Sequence, residues 1–137
     1  MKFSYPYIIK QQEGGGFFVQ FIDFQEAFTE GDTLEEAAFN AAEVLTGILG
    51  YRLEKGESIP EPSPTKKHQL ASPSAAVQSS LLLRMARGDR PLSDLARAME
   101  TSWAAAQRLE DPHHWPSLKQ LDKAAKVLGK RLVLSLE

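Results

Sequence analysis

The chain of 137 residues contains no cysteine, which excludes disulfide cross-links and thiolate zinc sites. No apolar run approaches the roughly 20 residues that a membrane-spanning helix needs. The first residues, Met-Lys-Phe-Ser-Tyr-Pro, lack the apolar segment of a secretory signal. A soluble, cytoplasmic protein is expected, without a membrane partner. Histidine is scarce: His68, His113 and His114 are the only three. All lie in expected loops without converging carboxylates, so no metal site is expected. No serine stands in a nucleophile elbow. Gly14-Gly15-Gly16 lacks the Lys-Ser/Thr pair and the helix start of a phosphate loop. A metal-dependent nuclease needs clustered carboxylates on a core strand, and the first two strands supply only Asp23. Neither an enzyme nor a cofactor is expected.

What the chain does have is charge, unevenly spread. Residues 1–60 hold ten acids against four bases, a net −6, whereas residues 61–137 hold twelve bases against eight acids, a net +4. The formal total of −2 conceals this division. An acidic module joined to a basic one points to partners of opposite sign: a basic protein for the first, a nucleic acid backbone for the second.

The pattern along the chain gives an α+β protein with two modules. Residues 3–9 and 17–24 are rich in aromatic and β-branched residues and are separated by Glu13-Gly14-Gly15-Gly16, the signature of a hairpin. A short third strand is expected at 27–29. Thr33-Leu34-Glu35-Glu36 is a capping box. The helix it starts runs to about Tyr51, with Leu34, Ala37, Ala38, Ala41, Ala42, Leu45, Ile48 and Leu49 as its apolar stripe. Residues 1–60 are expected as the first domain. Residues 61–73, with Pro62, Pro64 and Pro73, form a linker that keeps the modules apart. Residues 74–137 form the second domain: helices at 75–87, from Pro91 to Met99, at 103–110 behind the N-cap Ser102, and from Ser117 to Leu128. Residues 131–137 alternate Leu132, Leu134 and Leu136 against Val133, Ser135 and Glu137. They read as a strand with one apolar face, best covered by the same strand of a second chain.

The two short helices separated by Glu100, Thr101 and Ser102 have helix-turn-helix spacing. In the second, Ala106 and Leu109 face inward, which leaves Trp103, Ala104, Gln107 and Arg108 on the face a recognition helix presents to the major groove. Gln pairs bidentately with adenine and Arg with guanine. Arg84, Arg87, Arg90, Arg97, Lys119 and Lys123 are candidate phosphate contacts. Ser102, Trp103, Ala104, Gln107, Arg108 and Lys119 are the expected DNA-binding set, and Leu132, Leu134 and Leu136 the expected dimer contact.

Two runs, Gly15-Gly16-Phe17-Phe18-Val19 with Phe21 and Asp23, and Phe28-Thr29-Glu30-Gly31-Asp32-Thr33-Leu34-Glu35-Glu36-Ala37, closely resemble HicB-type antitoxins. The second half resembles the Cro/repressor-like helix-turn-helix that some members carry, at Leu95-Ala96, Arg108-Leu109-Glu110 and Pro116. The resemblance implies a β-β-β-α-β partial ribonuclease-H-like N-terminal domain. It also implies an antitoxin that binds and blocks a HicA-like toxin, a small basic mRNA-cleaving protein, and that represses its own operon as a homodimer or higher oligomer. Gly15, Phe17, Asp23, Glu30, Asp32 and Glu35 are the expected toxin-binding residues. Where the family has Pro-Asp-x-Pro-Gly, this chain has Ile22-Asp23-Phe24-Gln25-Glu26, so only the aspartate is kept. The alternative function is a one-component transcriptional regulator whose first module senses a small molecule.

Overall fold

A computed structural model describes residues 2–137. Strands β1 (Tyr5–Gln11) and β2 (Phe17–Phe21) pair antiparallel, with Tyr7 opposite Phe21 and Ile9 opposite Val19. The glycine loop closes this hairpin through Gln12 N–H to the Gly16 carbonyl at 3.0 Å. Gly15 sits there at φ +111, a conformation that side chains disfavour. Strand β3 (Phe28–Gly31) pairs with β2, one to two residues later than the sequence pattern suggested. Helix α1 (Leu34–Lys55) follows, and β4 (Gln69–Ala71) returns to pair with the start of β1. The sheet order is β3-β2-β1-β4, all antiparallel. The element order β-β-β-α-β is thus present, with the last strand inside the segment expected as linker.

Alternation on the strands puts Tyr5, Tyr7, Val19 and Phe21 on the face that α1 covers with Ala37, Ala41, Leu45 and Leu49. Leu34 and Ala38, expected inward, are exposed; the row that meets the sheet runs through Ala37, Ala41, Leu45 and Leu49 and leaves them outside it. The helix also continues one turn beyond Tyr51. Arg52 and Lys55 suit its negative C-terminal end, and Gly56 at φ +67 caps it by donating its N–H to the Arg52 and Leu53 carbonyls. The Thr33 hydroxyl accepts from the Glu36 N–H at 3.0 Å, one half of the expected capping box; the reciprocal bond to the Glu36 side chain is not formed, so Thr33 acts as a simple N-cap.

The proline-rich segment is docked against the first sheet. The Tyr5 hydroxyl donates to the Pro60 carbonyl at 2.7 Å, and Ile59 packs on the first core. Helix α2 (Ala75–Arg87) then enters both cores. Val77 and Leu81 belong to the first, whereas Leu83 belongs to the second with Leu95, Ala96, Met99, Ala106, Leu109, Ala124 and Leu128. The expected separation of the modules by a free linker therefore fails. A 13-residue helix offers apolar residues on two flanks, and each module uses one of them.

Helices α3 (Leu92–Ala98), α4 (Trp103–Leu109) and α5 (Leu118–Val127) complete the chain. Between α3 and α4 the chain reverses with Glu100 at φ +55, and the Thr101 N–H reaches back to the Ala96 carbonyl at 2.9 Å. This is the helix C-terminal closure in which a left-handed residue is usually glycine. Residues 131–137 form no strand within the chain. An isolated strand has no ladder partner, and the sheet's edges lie in the other module.

Candidate functional site

The α4 face was legible from spacing. Ser102 Oγ accepts from the Ala105 N–H at 3.1 Å and fixes the helix start. Ala106 and Leu109 are buried, which turns Trp103, Ala104, Gln107 and Arg108 to solvent. Trp103 is 51% exposed. Helix α5 opens with a complete capping box between Ser117 and Gln120, and Lys119 in its first turn is exposed.

The surrounding arginines divide. Arg87 is committed to Glu110 by two hydrogen bonds, and its third nitrogen donates to the Arg90 carbonyl at 2.6 Å. The Glu110 carboxylate holds the guanidinium pKa above its ordinary value. Arg84 donates to the Glu57 carbonyl and Arg90 to the Ala86 and Arg87 carbonyls. These three, expected as phosphate contacts, serve the chain's own backbone and carboxylates. Arg97 pairs only loosely with Asp94 at 3.4 Å on the surface, and Lys123 is exposed.

Of the six acidic-module residues, five gather at one end of the sheet. Gly15 tips the hairpin, Phe17 pairs with Gly31, and Glu30, Asp32 and Glu35 stand exposed around it. Phe17 itself packs on the first core. Gly31 has a steric reason: a Cβ there would come within 2.4 Å of the Ala37 backbone nitrogen, so β3 approaches the start of α1 through a bare backbone. Asn40 ties the same junction by donating to the Glu30 carbonyl at 2.8 Å. Asp23 does not join this group. It lies past the far end of β2, and its carboxylate accepts from both the backbone N–H and the hydroxyl of Ser63. These bonds anchor the turn after β2 to the proline-rich segment.

Several contacts gave no sequence signal, because their partners lie far apart in the chain. Arg52 bonds Glu26 at 2.7 Å and stacks over the Phe24 ring. That hydrogen bond lowers the Glu26 pKa. Burial raises the Tyr5 and Tyr7 hydroxyls, with Asp23 adding to the effect at Tyr5. His113, expected as a solvated loop residue, bonds Glu54 and so links the α4–α5 loop to α1. A cleft of about 400 Å³ beside that contact is lined by Gly47, Tyr51, Pro112 and Trp115, among others. A second, of about 540 Å³, lies against α1 at Val44, Gly47, Ile48 and Tyr51. Among the described residues no group of three or more His, Asp or Glu is placed to hold a metal ion, and no helix is long and apolar enough to cross a membrane. In the tail Leu132 is half-buried, Leu134 is exposed and Leu136 is fully exposed.

Comparison with known proteins places these features in a family context. A family model described as a HicB-like antitoxin of bacterial toxin–antitoxin systems matches residues 4–76, which covers the whole sheet and the start of α2. The chain is 34% identical over 135 residues to antitoxin HicB 1 of Photorhabdus laumondii, covering 97% of this chain and 86% of the relative. It is 32% identical over 133 residues to antitoxin HicB of Escherichia coli K12, covering 95% and 96%. Antitoxin HicB 2 of Photorhabdus laumondii is 32% identical over 132 residues, covering 95% and 94%. The likeness to these relatives extends through the α3–α4 region and most of the chain.

Proposed function

The chain belongs to the HicB-like antitoxin family of bacterial toxin–antitoxin systems, and from that premise we propose that it neutralises a HicA-like, mRNA-cleaving toxin and represses its own operon. Its place in the family is regulatory, not catalytic. We read the sheet with α1 as a partial ribonuclease-H-like domain that meets the basic toxin. The acidic surface of Glu30, Asp32 and Glu35 beside the Gly15 hairpin supports this reading by its charge, which steers a basic partner and speeds association. Blocking the toxin's active site then requires only that the antitoxin lie across it. No chemistry is asked of the antitoxin.

For the second role, α3 and α4 are a helix-turn-helix and α4 its recognition helix. The observation that carries this is the pairing of a capped helix start with an outward face of Gln107 and Arg108. Phosphates meet the first turn and fix the register, and the long polar side chains read base edges. Lys119 adds a sequence-blind phosphate contact. A homodimer built on the tail's Leu132, Leu134 and Leu136 presents two such helices to an inverted repeat. Regulation by a small molecule is not favoured by the family assignment. The purified chain should suppress RNA cleavage by the toxin encoded beside it and bind its own promoter fragment over a scrambled one. A chain that does neither overturns the reading.

A further inference from the structure

Helix α1 carries an exposed ridge on its solvent side. Glu35, Phe39, Glu43, Gly47 and Tyr51 follow at intervals of four, so neighbours in the series adjoin and the five form an inclined ridge that turns by about 40° at each step. All five are exposed, Phe39 by 65% and Tyr51 by 54%. Neither aromatic is needed for the core, because the opposite side of α1 already supplies it through Ala37, Ala41, Leu45 and Leu49; Tyr51 is touched on its ring face by the Lys55 ammonium at 5.8 Å. Two large aromatic side chains held in water on a rigid helix are the kind of anchor that carries binding energy at protein interfaces.

Gly47 is the sharper clue. Glycine in the interior of a helix weakens it relative to alanine. A Cβ built on Gly47 meets nothing within 4 Å, so no neighbour in the chain requires the vacancy. What Gly47 provides is a low point on the ridge. Both clefts on α1 reach it, one from the Thr46 and Trp115 side and one from the Val44 and Ile48 side. A partner element can therefore cross α1 at Gly47 close to the helix backbone and drop side chains into both clefts. The rim of this saddle is acidic on balance. Glu43 and Glu57 stand beside the second cleft, where Arg52 is neutralised by Glu26. Glu54, bonded to His113, stands beside the first, and Lys55 adds a cation over Tyr51.

We propose that this ridge, crossed at Gly47 and anchored by Phe39 and Tyr51, is the docking surface for the basic toxin. This rests on the antitoxin reading above and extends it. The ridge begins at Glu35, so it is continuous with the acidic end of the sheet. Charge decides the occupant. Glu35 and Glu43 flank Phe39 one turn to either side, which suits a lysine- or arginine-bearing surface with an apolar centre. A second copy of this acidic module would bring like charges together.

The test is the affinity of the full chain for the purified toxin encoded beside it, measured with three variants. Gly47→Gln fills the saddle while removing an unfavourable helix residue, so it should fold at least as well as the parent yet bind the toxin at least about tenfold more weakly. Phe39→Ala should also lose about tenfold or more, because an exposed aromatic contributes little to folding and much to a contact. Gly47→Ala, which adds one methyl to open space, should change affinity by much less than Gly47→Gln. If the parent binds the toxin and both Gly47→Gln and Phe39→Ala bind as tightly, the ridge is not the docking surface and the antitoxin reading stands. If the parent binds no toxin, the antitoxin reading falls and the ridge proposal with it.

Discussion

Arg87 and Glu110 meet in a two-pronged ion pair, Nε to Oε2 at 2.7 Å and the second guanidinium bond to Oε1 at 2.9 Å, with both side chains largely withdrawn from water. Arg87 ends α2 and Glu110 caps α4, so the pair fixes the angle at which α4 leaves the helical core. Removing one partner strands the other charge in a half-buried place. Glu110→Ala should destabilise the protein by about 2 kcal/mol in denaturant unfolding. Arg87→Lys should recover only part of the wild-type stability, since a single ammonium cannot make the planar double contact. Full stability in Arg87→Lys would show that charge alone suffices.

Gly31 packs its bare backbone against the first turn of α1. Gly31→Ala forces a methyl group into backbone that cannot swing aside, unlike the end of a flexible side chain. A loss of about 3 kcal/mol is expected, with a matching drop in thermal midpoint. Gly47→Ala in the same protein should be neutral or stabilising, so the pair separates steric need from general glycine loss.

Base reading by α4 predicts different consequences at two cations. Arg108→Ala should cost about 1–3 kcal/mol on the cognate operator and relax preference at one base pair of each half-site. Lys119→Ala should weaken binding about equally on cognate and scrambled DNA and lower the salt slope. Titrations of both DNAs across salt concentrations distinguish the roles. Equal losses on both DNAs for Arg108→Ala would reduce Arg108 to a phosphate clamp.

Leu136 is fully exposed and Leu134 is 67% exposed at the end of a short tail that joins no strand within the chain. On the proposal that this tail pairs two chains, deleting residues 131–137 should leave monomers in sedimentation and weaken operator binding severely, because two linked half-site contacts become one. The sheet and the α2–α5 core should keep their stability, since the tail's exposed leucines pack on neither. An undiminished dimer after the deletion would place the interface elsewhere.

Glu26 is held ionised below its ordinary value of 4.5 by the bond from Arg52. A carboxyl with a depressed folded pKa stabilises the protein above its unfolded pKa, and that contribution disappears as pH falls through the lower folded value. Glu26→Gln should therefore flatten the stability curve below about pH 4.5 while changing neutral-pH stability only modestly, because the pair is partly exposed. Denaturant midpoints measured from neutral to acid pH check this.

Local chemistry determined much of the molecule. The glycine loop between two β-rich runs, the Thr33 cap, the Ser102 cap and the burial of Ala106 with Leu109 are short-range consequences of residue type and period, and each stands where the pattern put it. The outward face of α4 follows from the same period, since fixing two inward residues on a helix fixes the rest. What the sequence could not decide were contacts between residues far apart in the chain. Arg87 and Arg108 look alike as letters, yet one is captured by Glu110 and the other is left to solvent. Asp23 reads as a free carboxylate in a turn, yet it is held by Ser63, 40 residues on. The prolines of 60–64 suggested a loose tether, whereas Tyr5 and Asp23 bind that segment to the sheet and α2 joins both cores. A side chain's role depends on what fills the space around it, and that is set only when distant segments pack.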